Sequence, residues 1–345
     1  MLTVGIDVHL NSSSVCILDE NGRRVNQFLA RTHPREMVDR LRQLEQPFQI
    51  CFEASCGSGM LHDLVAPLAQ RVVVAHPGHL RLIFRSKKKN DRVDAQKLAK
   101  LLYLDEVPQV HVPHLRVRAW RELVQTRSAA VAKRTRAKNG LRALLRGLLI
   151  KAPKGLWTSD GRAWLRALTL PTRAHQLRRD LLLDEIEYFN RQVWRLEQEL
   201  NAIARKHPGV ALLKTIPGVG PRTAEAFCAF IDDPRRFNAK QVGSYLGLVP
   251  SQDQSGSANR LGHITKQGPS VVRHLLTEAA WRATKKSPRI KALLDRVKRD
   301  RPDRKKIALI ATAHYLARVM LAMLQTGEVW QEMTQTPQAA TADAA

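Results

Sequence analysis

The sequence predicts an α/β N-terminal domain, then a long helical hairpin or coiled-coil arm, and a mainly α C-terminal domain. Residues 1–110 alternate short β-branched runs with helical segments, and residues 111–207 carry two long amphipathic helical patterns. Residues 208–331 are helical between connections rich in Gly and Pro. A chain of 345 residues is long enough for these three domains to have cores of their own. The small polar residues at 332–345 predict a disordered tail.

The composition indicates a polyanionic partner. Lys and Arg number 57 against 31 Asp and Glu, which gives a formal charge of +26. Such an excess attracts nucleic acid, so DNA and RNA are the first partners to expect. We expect no membrane contact and a cytoplasmic location, because no apolar run approaches the roughly 20 residues of a spanning helix and the N-terminus lacks a signal peptide. The four cysteines have neither zinc-ligand nor disulfide-scaffold spacing and are expected in the core.

The first 110 residues predict a mixed sheet flanked by helices. β-Branched runs predict strands near 2–9, 13–19 and 24–31, and the Asn21-Gly22 pair between the last two predicts a tight hairpin turn. A helix, a strand ending at Glu53, a second helix and a further strand follow, before a charged helical segment. The order βββαβαβα places functional residues at the carboxyl ends of strands.

Four acids occupy positions where a metal site is expected. Asp7 ends the first strand and Glu53 the fourth, while Asp91 and Asp94 lie one helical turn apart on the next charged helix. Carboxylates among cations suit a divalent metal held beside a nucleic-acid backbone. The ordinary alternatives are a solvated helix start for the last two acids and strand-end surface acids for the others. The neighbouring cations proposed to contact nucleic acid are Lys87, Lys88, Lys89 and Arg92.

The segments GIDVH, FEAS and NDRVDAQ, in this order and spacing, resemble a known catalytic domain. It is the ribonuclease-H-like DEDD domain, related to RuvC resolvases, of the transposases of the one-ten insertion-sequence family. The resemblance implies that Asp7, Glu53, Asp91 and Asp94 are catalytic and bind Mg²⁺, with Mn²⁺ as the alternative metal.

Two helical patterns, over 115–150 and 176–207, predict the arm. The first is unusually cationic and includes Arg134, so it is expected to grip a nucleic-acid backbone; a solvated helix face explains the charge equally well. After the arm, Pro-Gly-Val-Gly-Pro at 217–221 resembles a helix-hairpin-helix element, whose glycines let backbone N–H groups approach a phosphate. An ordinary helix connector is the alternative.

Residues 247–268 predict a polar loop. The C-terminal domain of the one-ten family carries Ser-Gly followed by Gly-x-Ile-x-Lys-x-Gly, which Ser255-Gly256 and residues 262–268 match. This resemblance implies that Ser255 is the nucleophile, with Ser251 and Ser257 as local competitors. Charge and proximity add three candidate phosphate contacts: Arg260, Lys266 and Arg273.

Taken over nearly the whole chain, the resemblance implies a bacterial recombinase that excises and inserts its own mobile element. It implies guidance by a structured RNA that pairs with target and donor DNA, and a tetramer in which the acidic site of one subunit meets the serine of another. A covalent phosphoserine link would conserve the energy of the broken phosphodiester bond, which would then drive the rejoining of the DNA strands. Two other functions remain open: a metal nuclease or junction resolvase that uses water, and a nucleic-acid-binding scaffold without catalysis.

Overall fold

A computed structural model describes residues 1–83, 90–255 and 258–332 of the protein. The chain divides into two compact units, Met1–Arg116 and Val117–Ala345. The first unit is α/β and the second is mainly helical, as the sequence predicts. The predicted division of the second unit into an arm and a separate C-terminal domain stays a prediction.

The first unit is built on a five-stranded sheet with the order β3-β2-β1-β4-β5. The first three strands are antiparallel, whereas β1, β4 and β5 run parallel to one another, so the predicted mixed sheet is confirmed. Asn21-Gly22 lies in the turn before β3, and Gly22 has the positive φ of 71° that this tight turn requires. The strands are β1 (Leu2–Val8), β2 (Ser12–Leu18), β3 (Arg24–Arg31), β4 (Phe48–Glu53) and β5 (Arg71–Ala75).

Helices cover both faces of this sheet. Met37 of the first helix and Val65 of the second pack with Ile6 and Phe52 on one face. Ala95 and Leu98 belong to the fourth helix and pack on the other face. The third helix was not expected from the sequence. The four helices are α1 (Pro34–Arg42), α2 (Ser58–Val65), α3 (Pro77–Ile83) and α4 (Asp91–Tyr103).

Two long helices, α5 (Leu115–Gly147) and α7 (Arg173–Lys206), run antiparallel. Two polar side-chain contacts set their alignment, one from Arg127 to Glu197 at 2.8 Å and one from Arg134 to Asn190 at 3.0 Å. A short helix, α6 (Ser159–Ala167), lies in the segment that connects them, where no helix was predicted from the sequence. It supplies Leu165 to the cluster that closes this end, with Leu141, Leu145, Leu156 and Leu183.

The rest of the second unit packs six helices around one large apolar core. Phe227, Leu276, Leu316 and Met320 are among its fully buried members. The helices are α8 (Pro208–Leu213), α9 (Pro221–Ile231), α10 (Gln241–Tyr245), α11 (Ser270–Ala283), α12 (Pro288–Lys298) and α13 (Lys305–Thr326).

The segment predicted as a polar loop contains a β-hairpin, so that prediction is wrong over most of its length. The two strands are β6 (Pro250–Ser255) and β7 (Ala258–Ile264), and they pair antiparallel. Every β6 residue is exposed, so the strand carries no apolar and polar alternation. That alternation is the signal from which a half-buried strand is recognised.

The expectation that no apolar segment is long enough to span a membrane is also wrong. Residues Pro302–Thr326, which include α13, form a helix whose length and composition would allow it to cross one. Such a segment is equally typical of a core helix, and 44 % of its most apolar stretch is buried inside the protein. Leu316, Met320 and Leu321 of α13 pack in the core of the second unit.

Candidate functional site

Asp7 and Glu53 end two neighbouring parallel strands. The register of β1 with β4 runs from Leu2 opposite Phe48 to Ile6 opposite Phe52, so Asp7 and Glu53 occupy the next positions along the two chains. Side chains two residues apart on a strand point to the same face. Asp7 lies two residues after Gly5, which packs against α4, and Glu53 is the neighbour of Asp7 on the adjacent strand. Both acids therefore lie on the face of the sheet that α4 covers.

The start of α4 brings two further acids to this edge. Asn90 caps the helix, since its side chain accepts a hydrogen bond from the backbone N–H of Arg92. Asp91 and Asp94 follow in the first turn. A residue without a side chain, Gly5 of β1, lets α4 approach closely, because a Cβ there would overlap the backbone of α4. The helix start is thereby held beside the end of β1.

His9 joins the acids into one cluster. Its Nε2 lies 3.2 Å from Oδ2 of Asp7 and 3.4 Å from Oδ1 of Asp91. Ligand atoms of these three residues all lie within 4.8 Å of one another. Asp94 accepts from Nζ of Lys97 at 3.0 Å and is not one of the three, and neither is Glu53. Sequence reasoning missed His9, although it lies within the GIDVH segment, two residues after Asp7.

The electrostatics of the cluster favour a cation. Burial raises the pKa of Asp7, and the negative charges of Asp91 and Asp94 raise it further, while His9 acts in the opposite direction. Ionised carboxylates held this closely repel one another unless a positive charge lies between them. Carboxylate oxygens with one imidazole nitrogen form a donor set that divalent metals accept. The residues present therefore fit a metal centre.

The predicted nucleic-acid contacts are dispersed over both units. Lys87, Lys88 and Lys89 lie outside the described residues. Arg92 is exposed at the start of α4, next to the acid cluster, and Arg134 donates to Asn190 on α7.

Ser255 is the last residue of β6 and is exposed. Its cross-strand partner is Ala258, and the preceding pair on the same face of the hairpin is Asp253 opposite Arg260. Ser251 is also exposed on β6, whereas Ser257 lies outside the described residues. The hairpin thus presents Ser255 and Arg260 on one face.

The two other cations near the serine differ in their surroundings. Lys266 follows β7 with a left-handed backbone, at a φ of 55°. Arg273 of α11 donates through Nη1 to the carbonyl oxygens of Leu246 at 3.1 Å and Gly268 at 3.3 Å, and also to that of Gln267. These bonds hold the segment on both sides of the hairpin, so Arg273 has a structural role that the sequence did not reveal.

A buried ion pair near the start of α9 was also missed. Oε1 of Glu225 lies 2.8 Å from Nη2 of Arg222, and Glu225 is fully buried. Burial raises the pKa of Glu225 to about 7, and its Oε2 has no hydrogen-bond partner. Both residues line a cleft of about 820 Å³ between α5, α9 and α11. The spacing of Arg222 and Glu225, three residues apart on one helix, is a sequence signal for the pair but does not show that the pair is buried.

The sequence is similar to known transposases along most of its length. Residues 4–150 match a family model described as a transposase with a DEDD domain, and residues 210–295 match the model of the transposase IS116/IS110/IS902 family. The chain is 25 % identical to the transposase for insertion sequence element IS1111A of Coxiella burnetii, over 95 % of this chain and 91 % of that protein. It is 27 % identical to the transposase for insertion sequence element IS1328 of Yersinia enterocolitica, over 80 % of this chain and 82 % of that protein. The fold, the acid cluster and these matches agree: the chain belongs to the IS110/IS116/IS902 family of transposases.

Proposed function

We propose that the acid cluster of the first unit is the metal-dependent catalytic centre of a ribonuclease-H/RuvC-like DEDD domain. Asp7, Glu53, Asp91 and Asp94 would hold the metal, Mg²⁺ or Mn²⁺. The observation that carries this proposal is the cluster of Asp7, His9 and Asp91 at the carboxyl edge of the sheet, in a chain whose family models include a DEDD transposase domain. The cluster is a geometric observation and the family match is a sequence observation, so the two are independent.

Within this centre the chain's own residues hold and orient the substrate. A bound divalent cation would supply Lewis-acid polarisation of the scissile phosphate and charge stabilisation for the leaving oxygen. Asp7 and Glu53 are fixed by the paired strands, and Asp91 and Asp94 by a capped helix, so the carboxylates are held on rigid elements. Arg92, exposed next to Asp91, would contact the DNA backbone.

Ser255 is proposed as the nucleophile for strand transfer. Its Oγ would lose its proton and attack the phosphorus of the DNA backbone, forming an O–P bond while a backbone P–O bond breaks, and the leaving oxygen would take up a proton in exchange. The product is a phosphoserine link to one DNA end. Ser255 is exposed at the end of β6 and shares a hairpin face with Arg260, which supports a role for Arg260 in holding the phosphate. Lys266 is a second proposed phosphate contact.

The helical part of the second unit is proposed to hold nucleic acid. The antiparallel pair α5 and α7 would act as a coiled-coil arm whose cations, including Arg134, grip a phosphate backbone. The turn between α8 and α9, with Gly218 at a φ of 94°, would act as a helix-hairpin-helix element. A guide RNA, a tetrameric assembly and a cytoplasmic location complete the proposal.

A denaturing gel tests the composite mechanism. The full chain would be incubated in Mg²⁺ with DNA from the ends of its element and the element's transcript, then denatured. We expect DNA that migrates with protein, and we expect this adduct to disappear in Ser255→Ala and in Asp7→Asn but not in Ser251→Ala. Cleavage without an adduct would instead favour a nuclease that uses water. Binding with no cleavage would favour a scaffold.

A further inference from the structure

A cavity adjoins the acid cluster. It has a volume of about 520 Å³ and lies where β1 and β4 end, between those strand ends, α1 and α2. Phe52 of β4 and Met37 of α1 are buried beneath it, and Leu61 and Leu64 of α2 line its wall. The volume is within the range of roughly 300–1,000 Å³ that is usual for a small-molecule site. Because the floor and wall are formed by these apolar side chains, the interior suits an apolar group.

The rim of this cavity exposes large apolar side chains. Leu10, after β1, is 90 % exposed, and Met60 of α2 is 61 % exposed. Single exposed apolar residues are ordinary, but two of them at the mouth of an apolar cavity form a surface that water solvates poorly. Such a surface is typical of a binding site.

His9 separates the cavity from the acids. Its ring lines the cavity, and its Nε2 contacts both Asp7 and Asp91. A phosphate bound at the acids would therefore lie within about one side chain of the cavity. The chain matches a family of transposases, which act on DNA, so the occupant is expected to be part of the DNA strand whose phosphate lies at the acids.

We propose that the cavity takes the nucleobase next to the scissile phosphate, turned out of the DNA stack and held between Leu10, Met60 and the apolar floor. This inference rests on the proposed catalytic role of the acid cluster. The base is the apolar and planar part of a nucleotide, so it matches the cavity, while the charged backbone matches the acids with their metal. Ser55 lines the cavity and offers a hydroxyl group to the base edge, whereas the hydroxyl groups of Thr32 and Ser58 already bond to the Ser13 hydroxyl and the Ser55 carbonyl oxygen.

Cys56 provides a built-in reporter for this cavity. It lines the cavity and is exposed, whereas Cys16, Cys51 and Cys228 are buried. The rate of maleimide alkylation of the folded chain therefore reports access to the cavity. The measurement uses the full chain, duplex DNA from the ends of its element, the element's transcript, and Ca²⁺ in place of Mg²⁺, so that a cation lies at the acids and binding is followed without relying on cleavage.

We expect saturating DNA to slow Cys56 alkylation at least ~10-fold. DNA with one abasic nucleotide beside the cleavage position should restore the rate, whereas an abasic nucleotide elsewhere should not. Met60→Ser should weaken DNA binding about 10-fold, because serine removes apolar surface that the base would cover. Leu82→Ser, at an exposed apolar residue of α3 that does not line the cavity, is the matched control and should bind normally.

Three results would overturn the proposal: alkylation unaffected by DNA, protection insensitive to every abasic position, or protection that grows with protein concentration when DNA is absent. The last result would assign the cavity to a second copy of the chain. The Mg²⁺ cleavage assay on the same complex separates this inference from the proposed function. If the DNA is cleaved but Cys56 is not protected, only the proposed base pocket is contradicted. If Cys56 is protected but the DNA is not cleaved, only the proposed catalytic role is contradicted.

Discussion

Gly5 of β1 lies directly against Ala95 of α4, so closely that a methyl group on Gly5 would overlap the carbonyl oxygen of Ala95. The same methyl group would also meet the backbone of Ala99. These are backbone atoms, which cannot move aside as a flexible side chain can. The contact sets the distance between the strand that carries Asp7 and the helix that carries Asp91.

The Gly5→Ala variant should therefore lose both stability and metal binding. Overpacking a tight contact costs roughly 1–3 kcal/mol of unfolding free energy, and displacement of α4 would separate Asp91 from Asp7. Denaturant unfolding and Mn²⁺ titration measure the two effects. Gly147→Ala is the control, since Gly147 ends α5 with open space around it. Normal Mn²⁺ affinity in Gly5→Ala would show that this contact does not position the acids.

The acid cluster predicts that Asp91→Asn weakens divalent metal binding. The amide cannot replace the charge of a carboxylate ligand, so we expect the Mn²⁺ affinity to fall at least ~10-fold, a loss of the size found even for outer-shell partners. Isothermal titration calorimetry on the full chain measures it. Asp105→Asn is the matched control, because Asp105 is an exposed acid paired with Arg71 in the same unit. Equal affinities in the two variants would contradict the assignment of Asp91.

Removal of Arg273 should mainly lower stability, whereas removal of Arg260 should mainly weaken DNA binding. Arg273→Ala deprives three carbonyl oxygens of a donor, so we expect a loss of about 1–3 kcal/mol of stability and a lower Tm. Arg260→Ala on the exposed hairpin should change stability by no more than ~0.5 kcal/mol and should weaken DNA binding. Thermal unfolding and a DNA titration separate the roles. A stable Arg273→Ala variant that binds DNA poorly would return Arg273 to the phosphate contacts.

The sheet and the positions of all four acids along the strands and α4 were predictable because their signals are local. Asp7 ends a β-branched strand, and Asp91 and Asp94 follow a capping Asn90, so each position can be read from a few neighbouring residues. His9 was not predictable in the same way. Its contact with Asp91 joins residues that are far apart in the chain and depends on how α4 crosses β1.

The missed features share the same cause. Every residue of β6, the strand that ends at Ser255, is exposed, so no burial pattern marks that strand. Charge and proximity predict Arg273 as a phosphate contact, but the carbonyl oxygens that it binds come from both sides of that hairpin, and no local pattern reveals them. Glu225 resembles a solvent-facing acid of an amphipathic helix, but α9 is surrounded by the core and buries it. Such roles are fixed by packing rather than by sequence neighbours.

The buried Glu225 predicts a specific pH dependence of stability. Its pKa rises from an ordinary value of 4.5 to about 7 on folding, chiefly because burial disfavours the charged form. Between these pH values the folded state binds more protons than the unfolded state, so stability falls as the pH rises from 4.5 to 7 and then levels. The loss is about 3 kcal/mol at most.

Glu225→Gln removes this titration. The Tm of the variant relative to the wild type should therefore increase from pH 5 to pH 8, as measured by scanning calorimetry. Arg222 faces a neutral side chain at every pH in the variant, and its attraction to ionised Glu225 in the wild type is already contained in the pKa of about 7, so the expected slope is unchanged. Glu185→Gln, at an exposed acid of α7, is the matched control for the loss of one carboxylate. Parallel profiles for Glu225→Gln and the wild type would show that Glu225 ionises normally in the folded protein.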